Sequence, residues 1–593
     1  MINNFDSMGW HDIIRRKQMR IEMAVHVLAA VDYWGCKMKQ NKRMPVGVED
    51  FKKLREKYYF VDKTKFIQEL IDGHSDVTLI TRPRRFGKTL MMSMLYYFFT
   101  NKNAKENRKL FDGCAIAEAG EEYMAEQGTR PVVFLSLKDV KGDTFDSLMA
   151  AMQNVLQTVY LEFRELSESE TLDEAERTFF VKVKNMEASP DQMQFAVSNL
   201  TKYLCRLYDK KTILLIDEYD APIQSAWEHG YYDKAIGFFR NFLSSALKTN
   251  PALDFAVLTG VLRISKESIF SALNNLKVSS VIQGAYDDVM GFTKDEVEKM
   301  AADLGHADKT EEIKEWYDGY NFSGKEIYNP WSVIRYFDEG CRPGTYWANT
   351  SGNSILKTML ARVDEVRRND LAGLMQGKTV FSVLNEGLIY DDIYKNKDAL
   401  CTMLLTTGYL KCVGQKTEYG REWSELAIPS REIRSLFDHE IIMNLSGYTG
   451  ESTVFQMLDA MLCGNKDDFA DTLRLILLEN VSVHDAAYPE TFYHGMMLGF
   501  SLLLDGRYEI ESNKESGYGR FDLVFIPKDK DKAGVIMEFK KAQSEDALDA
   551  KAEEALKQIE DKEYMTAFAK RGIQKIWKYG IAFCGKKLAL VRG

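Results

Sequence analysis

Arg82-Pro83-Arg84-Arg85-Phe86-Gly87-Lys88-Thr89 is the stretch that decides the fold. It follows a short β-branched run, Val77-Thr78-Leu79-Ile80-Thr81, and precedes an apolar run from Leu90 to Phe99. Strand, basic glycine-containing turn and helix, in that order, make a cradle for phosphate. Backbone N–H groups at a helix N-terminus point at the anion, and a glycine lets the backbone approach it. A lysine reaches the β- and γ-phosphates, and a hydroxyl completes a Mg2+ shell. Gly87, Lys88 and Thr89 supply the glycine, the cation and the hydroxyl. The general pattern G-x-x-x-x-G-K-[ST] has a glycine where this chain has Arg82, and Pro83 can pre-set the turn instead. A bare Gly-Lys-Thr also arises by chance, at a helix start with a surface lysine.

The second half of such a site is Ile213-Leu214-Leu215-Ile216-Asp217-Glu218. Four apolar residues form a buried strand, and two carboxylates stand at its C-terminal end. The first can hold Mg2+, and the second, Glu218, can polarise the attacking water. Read singly, each motif is also a plain strand or helix end; the pair in this order argues for ATP. A further strand ends at Thr259, where a polar group can sense the γ-phosphate. Arg263 follows, either stabilising transition-state charge, within the chain or across a homo-oligomer interface, or forming a structural salt bridge. The residues expected around the nucleotide are Arg85, Phe86, Gly87, Lys88, Thr89, Leu90, Asp217 and Thr259, with Thr89 and Asp217 on the metal.

Strand candidates at 77–81, 131–135, 212–216 and 255–259 alternate with helical stretches. Continuous apolar strands separated by helices predict a parallel α/β sheet covered on both faces. At 593 residues the chain exceeds one core, and its length suggests about three or four domains; the pattern along the chain divides into five regions. Residues 1–43 read as a helical extension, with Met44 an alternative start; 44–290 carry the parallel sheet. Residues 291–370 read as a helical, lid-like region. Residues 371–484 read as a mainly helical connector, winged-helix-like if 404–410 and 425–429 pair as a hairpin. Residues 485–593 form a last α/β domain.

A net charge of −10 excludes a histone-like binder but leaves room for a local basic groove. Eight scattered cysteines without a Cys-x-x-Cys pair speak against a zinc ribbon and for a reducing compartment. The longest late apolar stretch, Met496 to Leu504, is about half of a membrane span. The N-terminus has no signal-peptide layout, so a cytoplasmic protein with no membrane partner is expected.

The runs Pro45 to Phe51, Tyr59 to Thr64, Arg82 to Thr89, Asp217 to Pro222 and Thr259 to Glu267 closely resemble the bacterial AAA-ATPase-like family. The similarity covers about 44–290 and continues more weakly through Tyr317-Asp318-Gly319-Tyr320 and Tyr328-Asn329-Pro330. That family accepts arginine for the first loop glycine. The resemblance implies an additional-strand P-loop ATPase core.

The last region offers a second constellation. Asp522 lies on one strand candidate, and Glu538-Phe539-Lys540 ends the next. On neighbouring strands the two carboxylates can converge on one divalent ion, with Lys540 on the face of Glu538. The order helix with Glu490, strand, strand with Asp522, strand with Glu538 and Lys540, helix with Gln558, strand resembles the PD-(D/E)XK nuclease superfamily over about 485–593. The resemblance implies a restriction-endonuclease-like fold and Mg2+-dependent phosphodiester cleavage. Asp522 and Glu538 would hold metal, Lys540 would act on the phosphate, and Glu490 and Gln558 would complete the site. From Arg571 to Gly593 the chain has six basic residues and no acidic one, either a phosphate contact or a surface strand pair. Two functions follow as expectations: an ATPase coupled to a nuclease acting on DNA or RNA, or a signal-transducing ATPase switch whose last domain binds nucleic acid without cutting it.

Overall fold

The computed structural model describes residues 43–263, 276–282, 284–322, 324–347, 370, 373–374, 377–385, 387, 397–437, 451–480, 493–494, 496–497, 500, 502–504, 507–512, 515–516, 519–520, 522–561, 568 and 571–593. The chain divides into two compact units, 1–346 and 347–593.

The first unit is organised by five parallel strands: β1 (Val77–Thr81), β2 (Val132–Ser136), β3 (Thr212–Asp217), β4 (Leu253–Gly260) and β5 (Leu276–Ser279). Their order across the sheet is β2-β3-β4-β1-β5. Every residue of β1 and β3 is buried, as strands covered on both faces require. β4 therefore stands between the strand that feeds the glycine turn and the strand that ends in Asp217. This is the additional strand the resemblance implies. Because all five strands run the same way, Thr81, Ser136, Asp217, Gly260 and Ser279 end at one edge. A ligand crevice in such a sheet lies outside the carboxyl ends of its strands.

The helix Lys88–Phe99 leaves β1 and packs Met91, Met92, Leu95, Phe98 and Phe99 against Ile80, Ile213, Leu215 and Val257. The first described helix, Phe51–Lys57, is capped by Asp50, whose side chain accepts from Lys53 N at 2.7 Å.

Beyond the sheet, helices Lys294–Asp303, Thr310–Tyr317 and Pro330–Asp338 match the helical reading of this region. That reading omits a small antiparallel sheet of β6 (Phe292–Thr293), β7 (Tyr320–Phe322) and β8 (Lys325–Tyr328), in the order β6-β8-β7. Its strands are too short to display a period in the sequence.

In the second unit, β9 (Val380–Ser382), β10 (Lys411–Glu418) and β11 (Arg421–Ala427) form an antiparallel sheet ordered β10-β11-β9. The hairpin is thus β10–β11, not 404–410 with 425–429. Leu404 to Thr407 end the helix Lys397–Thr407, which is buried around its circumference. Burial on all sides erased the polar–apolar alternation that separates helix from strand.

The C-terminal sheet contains β12 (Tyr508–Ser512), β15 (Leu523–Pro527), β16 (Gly534–Lys541), β17 (Ile576–Cys584) and β18 (Lys587–Arg592), in that order. A two-residue pair, β13 (Glu515–Ser516) and β14 (Gly519–Arg520), precedes β15. Only β16 and β17 run parallel within the five-stranded sheet, and the helix Leu548–Asp561 lies in the crossover between them. Its core joins Met457, Phe469 and Leu473 to Phe525, Met537, Phe539, Tyr579 and Phe583. Among the described residues, no helix is long and apolar enough to cross a membrane.

Candidate functional site

The turn after β1 is fixed from below by the residue that breaks the glycine pattern. Arg82 is fully buried. Its Nη1 donates to the carbonyls of Thr81 (2.9 Å) and Ser279 (3.1 Å), and its Nη2 to Ser279 Oγ (3.0 Å) and the Tyr286 carbonyl (2.9 Å). The guanidinium also lies 4.9 Å from the Phe322 ring centre. Burial pushes its pKa down to about 10, still cationic at neutral pH. A glycine here would allow the turn to bend; the arginine instead ties it to β5 and to the segment beyond.

Above this anchor, Arg85 (φ 68°) and Gly87 (φ 84°) both take left-handed backbone conformations. Gly87 opens the helix Lys88–Phe99, and its free approach side is what a bound anion needs. Arg85 places its guanidinium 4.5 Å from the Trp331 ring centre. Phe86 is buried against Tyr320 and Phe322, with centroids at 5.0 and 5.6 Å. Leu90 packs on the core, so it can serve a ligand through its backbone. Lys88 is buried, and its Nζ donates to the carbonyls of Arg82 (3.0 Å) and Pro83 (2.9 Å). Burial lowers its pKa, while Glu218, Asp217 and Asp220 support the charge.

Opposite the loop, Asp217 is fully buried and held from two sides. Thr89 Oγ1 donates to its Oδ2 at 2.7 Å and Thr259 Oγ1 to its Oδ1 at 2.5 Å. Glu218 has a left-handed backbone (φ 52°), and burial raises its carboxyl pKa. Two residues that sequence reasoning quoted without a role fasten this corner. Asp220 Oδ2 accepts from the N–H groups of Val261 (2.9 Å) and Leu262 (2.8 Å), and Tyr219 OH donates to the Leu262 carbonyl (2.6 Å). Arg263 comes directly after this fastened segment.

A hydroxyl touching a buried carboxylate beside a lysine is a hard-oxygen set that suits Mg2+ completed by phosphate and water. Thr89 and Asp217 would hold such an ion.

In the second unit, β15 and β16 pair Leu523 with Met537, so the register carried one residue on sets Asp522 beside Glu538. Asp522 Oδ2 accepts from Phe539 N at 2.8 Å, which seats the carboxylate against β16 between Glu538 and Lys540. Glu538 is 2% exposed. Its Oε1 accepts from Gln558 Nε2 and lies 3.7 Å from Lys540 Nζ. His494, which the sequence reading passed over, donates from Nε2 to the Asp522 carbonyl at 3.0 Å. Its tertiary contacts identify it, since no motif spacing marks it. Asp522, Glu538, Lys540 and Gln558 thus come together, while Glu490 lies outside the described residues. Among the described residues, no three His, Cys, Asp or Glu side chains cluster around one metal position. Two carboxylates with further lone pairs still fit Mg2+, which commonly takes one or two carboxylates plus substrate oxygens.

Known proteins carry both patterns. Residues 45–270 match the family described as predicted AAA-ATPase. Residues 488–592 match the PD-(D/E)XK nuclease superfamily. The chain is also 25% identical over 575 residues to an uncharacterized protein in the vnfD 5'region of Azotobacter chroococcum mcd 1, covering 92% of this chain and 96% of that one. The AAA-ATPase match spans the loop, the acid motif and Thr259 through Arg263, and stops short of Ser279, Tyr286 and Trp331, which hold Arg82 and Arg85. The nuclease match takes in Asp522, Glu538, Lys540, Gln558 and Glu490.

The basic C-terminal stretch lies within the nuclease match, and its side chains have partners inside the fold. Arg571 meets Glu509 and Glu511, Lys578 meets Glu560 and Lys587 meets Glu545. Lys586 donates to the Leu478 carbonyl (2.9 Å) and Arg592 to the Gly464 carbonyl, while Lys575 lies over Trp577. The stretch contains the strand pair β17–β18, as one of its two readings expects.

Proposed function

We propose that the first unit binds and hydrolyses ATP with Mg2+ and that the second cleaves phosphodiester bonds in nucleic acid. One observation carries the first part. Asp217 receives Thr89 from the glycine turn and Thr259 from the intervening strand, so the three elements an ATPase site needs meet on one carboxylate. In hydrolysis a water oxygen bonds to the γ-phosphorus, and the bond from that phosphorus to the β–γ bridging oxygen breaks. Glu218 takes the proton of the water, and ADP and phosphate leave. Lys88 turns from the Arg82 and Pro83 carbonyls to the β- and γ-phosphates. A bound Mg2+ supplies Lewis acidity at the phosphate oxygens. For the second part, Asp522 and Glu538 would hold the ion, and Lys540 places positive charge at the scissile phosphate.

The test is incubation of the full chain with labelled DNA and labelled RNA under Mg2+ or Mn2+, with and without ATP, following phosphate release and strand cleavage together. Cleavage that Asp522→Ala abolishes supports the reading. ATP hydrolysis with no cleavage under either metal leaves the binding-only switch in its place.

A further inference from the structure

Neither Arg85 of the glycine turn nor the Tyr328-Asn329-Pro330 run has a task in the hydrolysis described above, yet the two meet at Trp331. The ring is the fixed half of that contact. Asn329 is buried, and its N–H donates to the Tyr317 carbonyl at 3.2 Å. Its Oδ1 accepts from Trp331 N (3.1 Å) and Ser332 N (3.4 Å), which caps the helix Pro330–Asp338. Trp331 Nε1 donates to the Tyr346 carbonyl at 3.3 Å. Backbone and ring edge are both held, and the ring face carries the Arg85 guanidinium, 4.5 Å from its centre.

The cation is the movable half. Arg85 is exposed, on the left-handed backbone of the turn two residues before Gly87. It also faces the acid end of the sheet. Leu137 N donates to the Asp217 carbonyl at 2.9 Å, which sets Lys138 at that end, and Arg85 is among the like charges that disfavour the Lys138 ammonium while Glu218 supports it. Magnitudes decide where the guanidinium goes when an anion enters the turn. A cation–π contact at an exposed site is worth about 2- to 5-fold in an equilibrium. A charge-assisted hydrogen bond to phosphate is worth about 10- to 100-fold.

We infer that a bound nucleoside triphosphate draws Arg85 off Trp331 and onto its phosphate oxygens, so that the helix Pro330–Asp338 reads whether the turn is occupied. The inference rests on the ATP-binding reading above. It gives Arg85 two alternative partners, one in each state of the site. It also sets a sign: the ring holds the cation back in the empty site, so removing the ring favours the nucleotide, and removing the cation disfavours it.

The experiment is calorimetric titration of the full chain with ATPγS and Mg2+, for the wild type, Arg85→Ala, Trp331→Leu, Trp331→Phe and the Arg85→Ala/Trp331→Leu pair. Trp331→Leu should tighten ATPγS binding by about 2- to 5-fold. Trp331→Phe, which keeps a ring of weaker attraction and perturbs the fold least, should tighten it by less. Arg85→Ala should weaken binding by about 5- to 50-fold, the phosphate contact less the ring contact it replaces, and the pair should match Arg85→Ala. Acrylamide quenching of Trp331, taken as wild type minus Trp331→Phe, should rise when ATPγS binds. Binding that is unchanged or weaker in both Trp331 variants, tightening that persists without Arg85, or quenching that ATPγS leaves unchanged overturns the inference while leaving nucleotide binding intact. A wild type that does not bind ATPγS overturns the ATP-binding reading itself, and this one with it.

Discussion

Thr89 Oγ1 and Asp217 Oδ2 are 2.7 Å apart, although 128 residues separate them in the chain. The contact closes the gap between the turn after β1 and the end of β3, which are not neighbours in the sheet. β4 lies between them, and its Thr259 occupies the other oxygen of the same carboxylate. The site is therefore set by strand order: a sheet with β1 next to β3 would leave no place for Thr259.

Arg82 gives the first prediction. The general glycine pattern suggests that Arg82→Gly should improve the loop, and the structure predicts the reverse. The substitution takes donors from three carbonyls and one hydroxyl in a buried setting. It should cost about 3 kcal/mol or more, read as a lower midpoint in thermal unfolding of the full chain. An unchanged midpoint would show that the anchor carries no weight.

Gly260 gives the second. A Cβ built there lies 2.7 Å from Tyr219 Cε1 and 2.8 Å from Asp220 Oδ1. Gly260→Ala should displace the two side chains that fasten the end of β4, at about 1–3 kcal/mol, and should slow ATP hydrolysis. Full stability together with a normal hydrolysis rate would contradict this packing.

Much of the first unit was legible because its strands are unbroken apolar runs. Val77–Thr81 and Thr212–Asp217 have no polar interruption beyond threonine before the final acid. β5 was missed because Leu276-Lys277-Val278-Ser279 is half polar and only partly buried. Strand order has no local signature, so the position of β4 came from resemblance and then from the register. Arg82 looked like a defect because its partners, Ser279 and Tyr286, lie 197 and 204 residues away. In the second unit, the carboxylate–lysine pattern was readable from its two-residue spacing. The seating of Asp522 on Phe539 N and the His494 bond depend on tertiary contacts that no spacing encodes. β18 entered only as part of one reading of the basic stretch, because Lys587 and Arg592 at its ends disguise its apolar centre, Leu588 to Leu590.

The proposed nuclease site yields a prediction of separable functions. Asp522→Ala, Glu538→Ala and Lys540→Ala should each abolish cleavage, with ATP hydrolysis retained. Combining two should cost little more than one, because the groups act as a unit. Metal titration should separate them: the carboxylate variants lose metal affinity and Lys540→Ala keeps it. Cleavage that survives Glu538→Ala would remove this site from the chemistry.

Tyr579 predicts a pH effect. Its buried hydroxyl donates to the Met461 carbonyl at 2.8 Å, and burial pushes its pKa up to about 12, from an ordinary 10.0. The fold favours the neutral phenol, so its contribution is fully present below pH 10 and is lost as pH rises from 10 through 12. At pH 7, Tyr579→Phe should cost about 1 kcal/mol. In urea unfolding of the second unit, that gap should narrow as pH climbs through this window. A gap independent of pH would mean that the hydroxyl is not held as described.

The central claim is that the glycine turn and Asp217 together bind ATP, and Lys88 tests it most directly. Titration of Mg2+ and ATP into the wild type and into Lys88→Ala measures the contribution of the cation proposed to reach the β- and γ-phosphates. The account predicts saturable binding by the wild type and a loss of about 100-fold or more in the variant, as removal of a charge-assisted phosphate contact at a preformed turn implies. Glu218→Gln should bind like the wild type and fail to hydrolyse. Equal affinity of Lys88→Ala and the wild type for ATP would contradict the account.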